Sequence, residues 1–226
     1  MASRKIFLTL DTETCSLPPR NFVYDLGLVI HDKRGQVLAK YNALVSEVFT
    51  DASQMMGAFY AKKLFTHYAP MLQNGAIEIK PWQQIVDEVQ ALIVQYDVSV
   101  ICAYNLAFDK GALTKTGGKF GAKLLPARLG GYQMLDIWLF ACMTKLSQSG
   151  YRTLAHAFGW VSEAGNLRTT AETAYRYITR QPEFVESHTA LHDAEIETAI
   201  LAECFRMKKA IPYDRIERNP WKYAQG

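Results

Sequence analysis

The chemistry open to this chain begins with two acids two residues apart. Asp11 and Glu13 close an apolar, β-branched run from Ile6 to Leu10 that predicts a strand. In an extended backbone, residues i and i+2 project to one face, so the two carboxylates lie side by side. Such a pair repels unless one member keeps a proton or a cation sits between them. Hard divalent ions such as Mg²⁺ take oxygen ligands of this kind; a solvated strand edge or a turn cap would use the same residues. A second candidate is Asp109, just beyond the apolar run 98–103, with Asn105 and Phe108 ahead of it and Phe108 read as a buried wedge. Ligands gather at strand ends in open α/β sheets, although an acid at a helix start also serves as a cap. The third candidate is the pair His188 and Asp193. Five residues are about 140° on an ideal helix, a poor same-face pair. The two can share a site if His188 lies in the loop before a helix whose first turn holds Asp193. Glu195, Glu197 and His192 read as a solvated face.

The elements that must hold these residues follow from pattern. Strands are predicted over 5–11, 22–31 and 36–45, with the break at Pro18-Pro19-Arg20-Asn21 and a turn at 32–35, so the sheet begins antiparallel. Asp51 caps a helix extending to about residue 63, and Met55, Met56, Phe59, Tyr60 and Phe65 offer apolar surface for a core, a lid or a partner. From Pro81, the residues Trp82, Ile85, Val86, Val89, Leu92, Ile93 and Tyr96 form one apolar helical stripe. That helix crosses over to a buried parallel strand, 98–103. A short helix follows Asp109, then a glycine-rich mobile loop to Gly131. A strand over 132–137 and helices over 138–146, 152–158, 169–178 (Thr169 as the cap) and 190–206 complete a mixed α/β sheet flanked by helices.

Composition narrows the class. The chain has 226 residues, 49% hydrophobic and 21% charged, enough for an ordinary core, and a net charge of +3. No apolar run reaches the roughly 18–20 residues of a membrane span, and Met-Ala-Ser-Arg-Lys before the first strand reads without the apolar segment expected of a secretory signal. Four scattered cysteines without a CxxC pair argue against a zinc knuckle or disulfide framework and for a reducing, cytoplasmic setting.

Asp11-x-Glu13, Asn105-x-x-Phe108-Asp109 and His188-x4-Asp193, in this order across residues 8–199, resemble the three motifs of the DnaQ-like 3′–5′ exonucleases, in the subgroup defined by Asp-Glu-Asp-Asp plus a histidine. The tyrosine subgroup would want Tyr at 189, which is Thr. The resemblance implies a ribonuclease H-like fold, a five-stranded mixed sheet with three leading antiparallel strands. It also implies two Mg²⁺ or Mn²⁺ ions held by Asp11, Glu13, Asp109 and Asp193, with His188 as general base. The chemistry agrees: two ions stabilise charge on the attacking and leaving oxygens of phosphodiester hydrolysis, and an imidazole with a pKa near about 6.5 can take the proton of the attacking water. Thr12, Thr14, Leu17, Asn105 and Phe108 would contact the substrate. Two positions depart from the family pattern: Thr14-Cys15-Ser16-Leu17 replaces Thr-Thr-Gly-Leu, and Tyr104 stands where many relatives carry His. Asp136 reads as structural.

Charge distribution adds a substrate surface. Lys110, Lys115, Lys119, Lys123 and Arg128 fall between residues 110 and 135 without an acid, and cationic contacts dominate nucleic-acid affinity. Lys115, Lys119 and Lys123 are the residues assigned to phosphate. The expected arrangement is an exonuclease domain over 1–207, with 47–80 as a lid or partner insertion, and a basic tail over 208–226. The expected substrate is single-stranded nucleic acid with a free 3′ end, DNA ahead of RNA, and a DNA polymerase or a second copy is the expected partner. The alternatives are an exoribonuclease and a non-catalytic nucleic-acid-binding module on the same fold.

Overall fold

The structure, a computed structural model, describes residues 5–15, 21–56, 61–125 and 131–225. Its centre is a mixed sheet. The strands β1 (Ile6–Thr14), β2 (Val23–His31) and β3 (Val37–Val45) run antiparallel, and β5 (Val98–Ala103) and β6 (Gln133–Asp136) continue parallel to β1, as expected. A two-residue strand, β4 (Ile79–Lys80), adds to the outer edge of β3 and makes the order β4-β3-β2-β1-β5-β6. β1 is longer than the apolar run alone predicts, so Asp11 and Glu13 both lie within the ladder, opposite Gly27 and Asp25.

Alternation along β1 separates two cores. Leu8 and Leu10 join one core with Trp82, Ile85, Val89 and Leu106, whereas Phe7 joins the other with Phe140, Ile196 and Ile200. After three short helices, α1 (Ser46–Phe49), α2 (Ala52–Met55) and α3 (Ala69–Gln73), the first core is closed by α4 (Trp82–Gln95) and α5 (Leu106–Phe120), the second by α6 (Ile137–Met143), α7 (Ser149–Ala157), α8 (Ala171–Thr179) and α9 (Ala190–Arg206). Truncating a residue such as Leu10 to Ala would cost about 2–5 kcal/mol, by lost transfer and a cavity. The helix α9 is buried along most of its length, with Asp193, Ala194, Ile196, Glu197, Ile200 and Leu201 all inward.

Four local expectations are corrected. The glycine-rich loop after Asp109 is helix: α5 runs through Gly111, Gly117 and Gly118 and stops at Gly121, whose φ of 81° ends it in the left-handed conformation. Gly117 is there for space, since a Cβ would lie 2.6 Å from the Ala122 carbonyl oxygen. Phe108 is 39% exposed, because it projects from the outer side of the first turn of α5 and not as a buried wedge. The N-cap of α8 is Thr170, whose hydroxyl accepts from Thr173 N–H, one residue later than the acid spacing suggests. Asp51 does cap a helix, yet that helix is only Ala52–Met55, and chain 61–73 returns as a π-helical turn, Leu64–Tyr68, that continues into Ala69–Gln73. In this segment Met55 is buried and Met56 and Phe65 are exposed. Phe59, Tyr60, Leu17 and Arg128 lie outside the described residues. The C-terminal stretch packs on the domain: Asp214 N–H donates to Met134 O, Asp214 Oδ1 accepts from Met134 N–H, and Ala224 is buried. No described helix is long and apolar enough to cross a membrane.

Candidate active site

The site forms at the carboxyl end of β1, where both helical layers reach the sheet. Asp11 and Glu13 come from the strand itself. From one layer, α9 arrives with Asp193 in its first turn. Gly27, opposite Asp11, admits it: a Cβ there would lie 2.1 Å from Leu191 N and 2.2 Å from the Ala190 carbonyl carbon. Asp25, two residues before Gly27, fixes the same helix start by accepting from Ala190 N–H at 3.0 Å and from the Tyr68 hydroxyl at 2.8 Å.

From the other layer comes Asp109, in the first turn of α5. Its Oδ1 accepts from both the N–H (3.1 Å) and the hydroxyl (2.8 Å) of Thr12. Thr12 is buried and spends its donors on Asp109. Asn105, with φ 68°, makes the left-handed bend that starts α5; Asn tolerates this conformation better than most residues. Asp136 caps α6 through Leu139 N–H, in line with a structural role.

His188 lies in the loop before α9, at φ 55°, a conformation uncommon outside glycine. Ligand atoms of Glu13, His188 and Asp193 lie within 4.8 Å of one another. The His188 Nδ1 is 3.7 Å from Glu186 Oε2. The sequence spacing that placed His188 in a loop and Asp193 on a helix is therefore realised, and the two meet.

One residue assigned to a solvated face belongs to the site. Glu197 is 2% exposed, and its Oε2 accepts from Tyr104 N–H at 3.1 Å. Four residues after Asp193, it is one turn along the same helix face; that spacing was the available signal. Glu195 does point outward, to Lys40, and His192 is partly exposed and bonded to Ser187 Oγ. Lys63, Asp25 and Glu186 are the other residues that no local pattern indicated.

Electrostatics follow from crowding. Burial, then the carboxylates of Glu197, Asp109, Asp193 and Glu13, hold Asp11 well above the usual carboxylate range. Burial pushes Glu13 up to about 7 against the opposing pull of Lys63, and Asp109 up to about 7 against its Thr12 hydrogen bonds. Asp193 rises to about 9 through burial and the neighbouring Glu186 and Glu13. Glu197 is raised by burial and Asp109. His188 is pushed down by burial and by Lys63, which favours a neutral imidazole.

This donor set suits hard divalent cations: carboxylate oxygens in number and one imidazole nitrogen. Among the described residues, the Oδ1 of Asp193 is buried without a hydrogen-bond partner, an acceptor that a cation would satisfy.

The remaining predicted contacts surround this centre. Thr14 is half-buried, and Asn105 and Phe108 are exposed beside Asp109. Lys115 and Lys119 lie one turn apart on α5; Lys115 donates to Asn21 Oδ1, and the Lys119 ammonium sits over the Phe22 ring. Phe22 in turn accepts from Cys15 N–H, which ties this basic face to the end of β1. Lys123 is exposed just beyond the helix.

No family model matches the chain, and none of the curated proteins matches it in sequence. Solved structures match it in fold. E. coli exonuclease I, solved in complex with a 5cy-dT13 oligonucleotide, superposes with a TM-score of 0.56 at 12% identity, covering 98% of this chain and 42% of that one. A full-length 3′-exonuclease gives 0.59 at 8% identity, covering 97% and 90%. Exonuclease I from Methylocaldum szegediense gives 0.56 at 14%, covering 91% and 41%. The chain thus spans about two fifths of the exonuclease I chains and nearly all of the 3′-exonuclease. At these identities the likeness is one of fold alone, a fold this chain shares with these exonucleases.

Proposed function

We propose that this protein is a divalent-metal-dependent 3′–5′ exonuclease acting on single-stranded nucleic acid, with DNA preferred to RNA. The observation that carries the reading is the meeting of Glu13, His188 and Asp193, from distant stretches, within 4.8 Å, with Asp11 electrostatically coupled to Glu13, Asp193 and Asp109. Crowded acids of this kind are costly without a cation.

In this reading Asp11, Glu13, Asp109 and Asp193 would hold two Mg²⁺ or Mn²⁺ ions. When bound, the ions supply charge stabilisation for the attacking and leaving oxygens of an in-line displacement. The chain's own residues do the rest. Neutral His188 takes a proton from the attacking water, and Glu186 behind its Nδ1 steadies the imidazolium that forms. Thr12 holds Asp109 in one rotamer through two hydrogen bonds. Asn105, Phe108, Thr14 and Leu17 contact the terminal nucleotide, with the exposed Phe108 ring as a stacking surface. Lys115, Lys119 and Lys123 attract the phosphate backbone. Support for DNA comes from the fold neighbour solved with a dT13 oligonucleotide.

Incubation with 5′-labelled single-stranded DNA and RNA, with Mg²⁺, Mn²⁺ or chelator, tests the proposal. A ladder of products shortened one nucleotide at a time, metal-dependent and faster on DNA, is expected. Immediate release of the labelled mononucleotide would reverse the polarity, and intact oligonucleotides under every metal would leave only a binding module.

A further inference from the structure

Lys63 reaches into the acid cluster from a segment that shares no motif with it. Its side chain is 7% exposed, and its Nζ lies 2.9 Å from Glu13 Oε1 and also donates to the His188 carbonyl oxygen. It is the only lysine or arginine among the described residues to form an ion pair with Asp11, Glu13, Asp109, Asp193 or Glu197. Lys63 stands at the start of the π-helical turn Leu64–Tyr68, and Tyr68 at the far end of that turn donates to Asp25. One short segment therefore grips both the metal-facing acid of β1 and the acid that fixes the start of α9.

We propose that Lys63 is a tethered cation that competes with the divalent ion for Glu13, so that metal loading requires its ammonium to withdraw. This rests on the metal-site reading above and specifies how that site is filled. The donor atoms of Glu13, His188 and Asp193 lie within 4.8 Å of one another. An ion held among them would share the Glu13 carboxylate with an ammonium that lies 2.9 Å from its Oε1. Like charges that close and that buried repel strongly. In the absence of metal the lysine offsets part of the carboxylate repulsion; with metal present it becomes redundant and repulsive. Its withdrawal loosens the 61–73 segment at the mouth of the site, so metal occupancy and the opening of that segment are coupled and reciprocal.

The test is a calorimetric Mn²⁺ titration of the full chain and of Lys63→Met and Lys63→Arg, at a pH where all are folded. Lys63→Met removes the competitor and is expected to bind Mn²⁺ roughly tenfold more tightly or better, since the ion no longer displaces a bound charge. Lys63→Arg, which keeps a cation, should stay near wild type. Equal or weaker Mn²⁺ binding by folded Lys63→Met overturns the proposal while leaving the metal site intact. Wild type and Lys63→Met both failing to bind Mn²⁺ would overturn the metal-site reading and this proposal together. Should Lys63→Met not fold, hydrogen exchange of the wild-type 61–73 segment decides: faster exchange with Mn²⁺ supports withdrawal, and unchanged or slower exchange contradicts it.

Discussion

Gly27 and Ala190 touch backbone to backbone: a side-chain carbon on Gly27 would lie 2.2 Å from the Ala190 carbonyl carbon and 2.4 Å from its oxygen. No rotamer relieves such a clash, because both obstacles are main chain. Through this contact the first turn of α9, and with it Asp193, sits directly over the strand pair that carries Asp11. Gly27→Ala should therefore force the helix off the sheet, at a cost of roughly 4 kcal/mol or more, about 10 °C of melting temperature in a chain this size. Thermal unfolding followed by circular dichroism measures this; a melting point within a degree or two of wild type would mean α9 does not rest on Gly27.

The acid cluster should make stability depend on pH, and on metal if it holds a divalent ion. Unfolded, these carboxylates titrate near their ordinary values; folded, Glu13 and Asp109 stand near 7 and Asp193 near 9. The folded state thus binds more protons than the unfolded one between about pH 4 and 9, so the metal-free protein loses stability as pH rises through that window. A divalent ion favours the ionised carboxylates and reverses the trend. Melting in chelator should fall from about pH 5.5 to about pH 8.5, two values inside that window, and Mn²⁺ should raise it more at the higher pH. A chelator curve that is flat or rising, with no metal increment, would deny the cluster its charge coupling.

Glu197 shares this charge coupling. Burial and Asp109 raise it well above the ordinary range, so in the ionised form it repels its neighbours. Glu197→Gln keeps an acceptor for Tyr104 N–H and removes the charge. Without metal at alkaline pH it should melt higher than wild type by a few degrees, with the difference shrinking toward pH 5 as the wild-type carboxyl is protonated. Its Mn²⁺ affinity should drop, since one negative charge leaves the site. A variant that is less stable at every pH would show that Glu197 acts only as a hydrogen-bond anchor.

The basic face of α5 predicts a salt signature. Single-strand binding loses about 0.7 in log K per log unit of salt for each phosphate contact. Replacing Lys115, Lys119 and Lys123 together by Gln should weaken binding of a labelled single strand in chelator and lower that slope by about 2. An unchanged slope would leave these lysines as solubilising residues whose contacts with Asn21 and Phe22 are merely structural.

Much of this was visible in residue order, and the losses have physical causes. Alternation and apolar runs located all five longer strands, and α9 begins and ends where its apolar positions do. The offset of His188 from Asp193 correctly demanded a loop and a helix. A helix beside Asp109 was legible, but its full length was hidden because Gly117 and Gly118 suggest a loop, whereas Gly117 is required for the close approach of Ala122. Glu197 was hidden because a run of acids suggests a wet surface, although its fourfold spacing from Asp193 indicated a shared face. Gly27, Asp25 and Lys63 left no local trace: each acts through a partner far along the chain, Ala190 for the first two and Glu13 for the third.

The central claim is that the carboxylates of β1 and α9 carry metal-dependent hydrolysis at a 3′ end. The most direct measurement is single-turnover cleavage of 5′-labelled single-stranded DNA in Mn²⁺ by wild type, Asp11→Asn and Asp193→Asn, each first shown to be folded. The account predicts stepwise 3′ shortening by wild type and a fall of roughly a thousandfold or more in either variant. Cleavage at the wild-type rate by a folded Asp11→Asn or Asp193→Asn protein would contradict it.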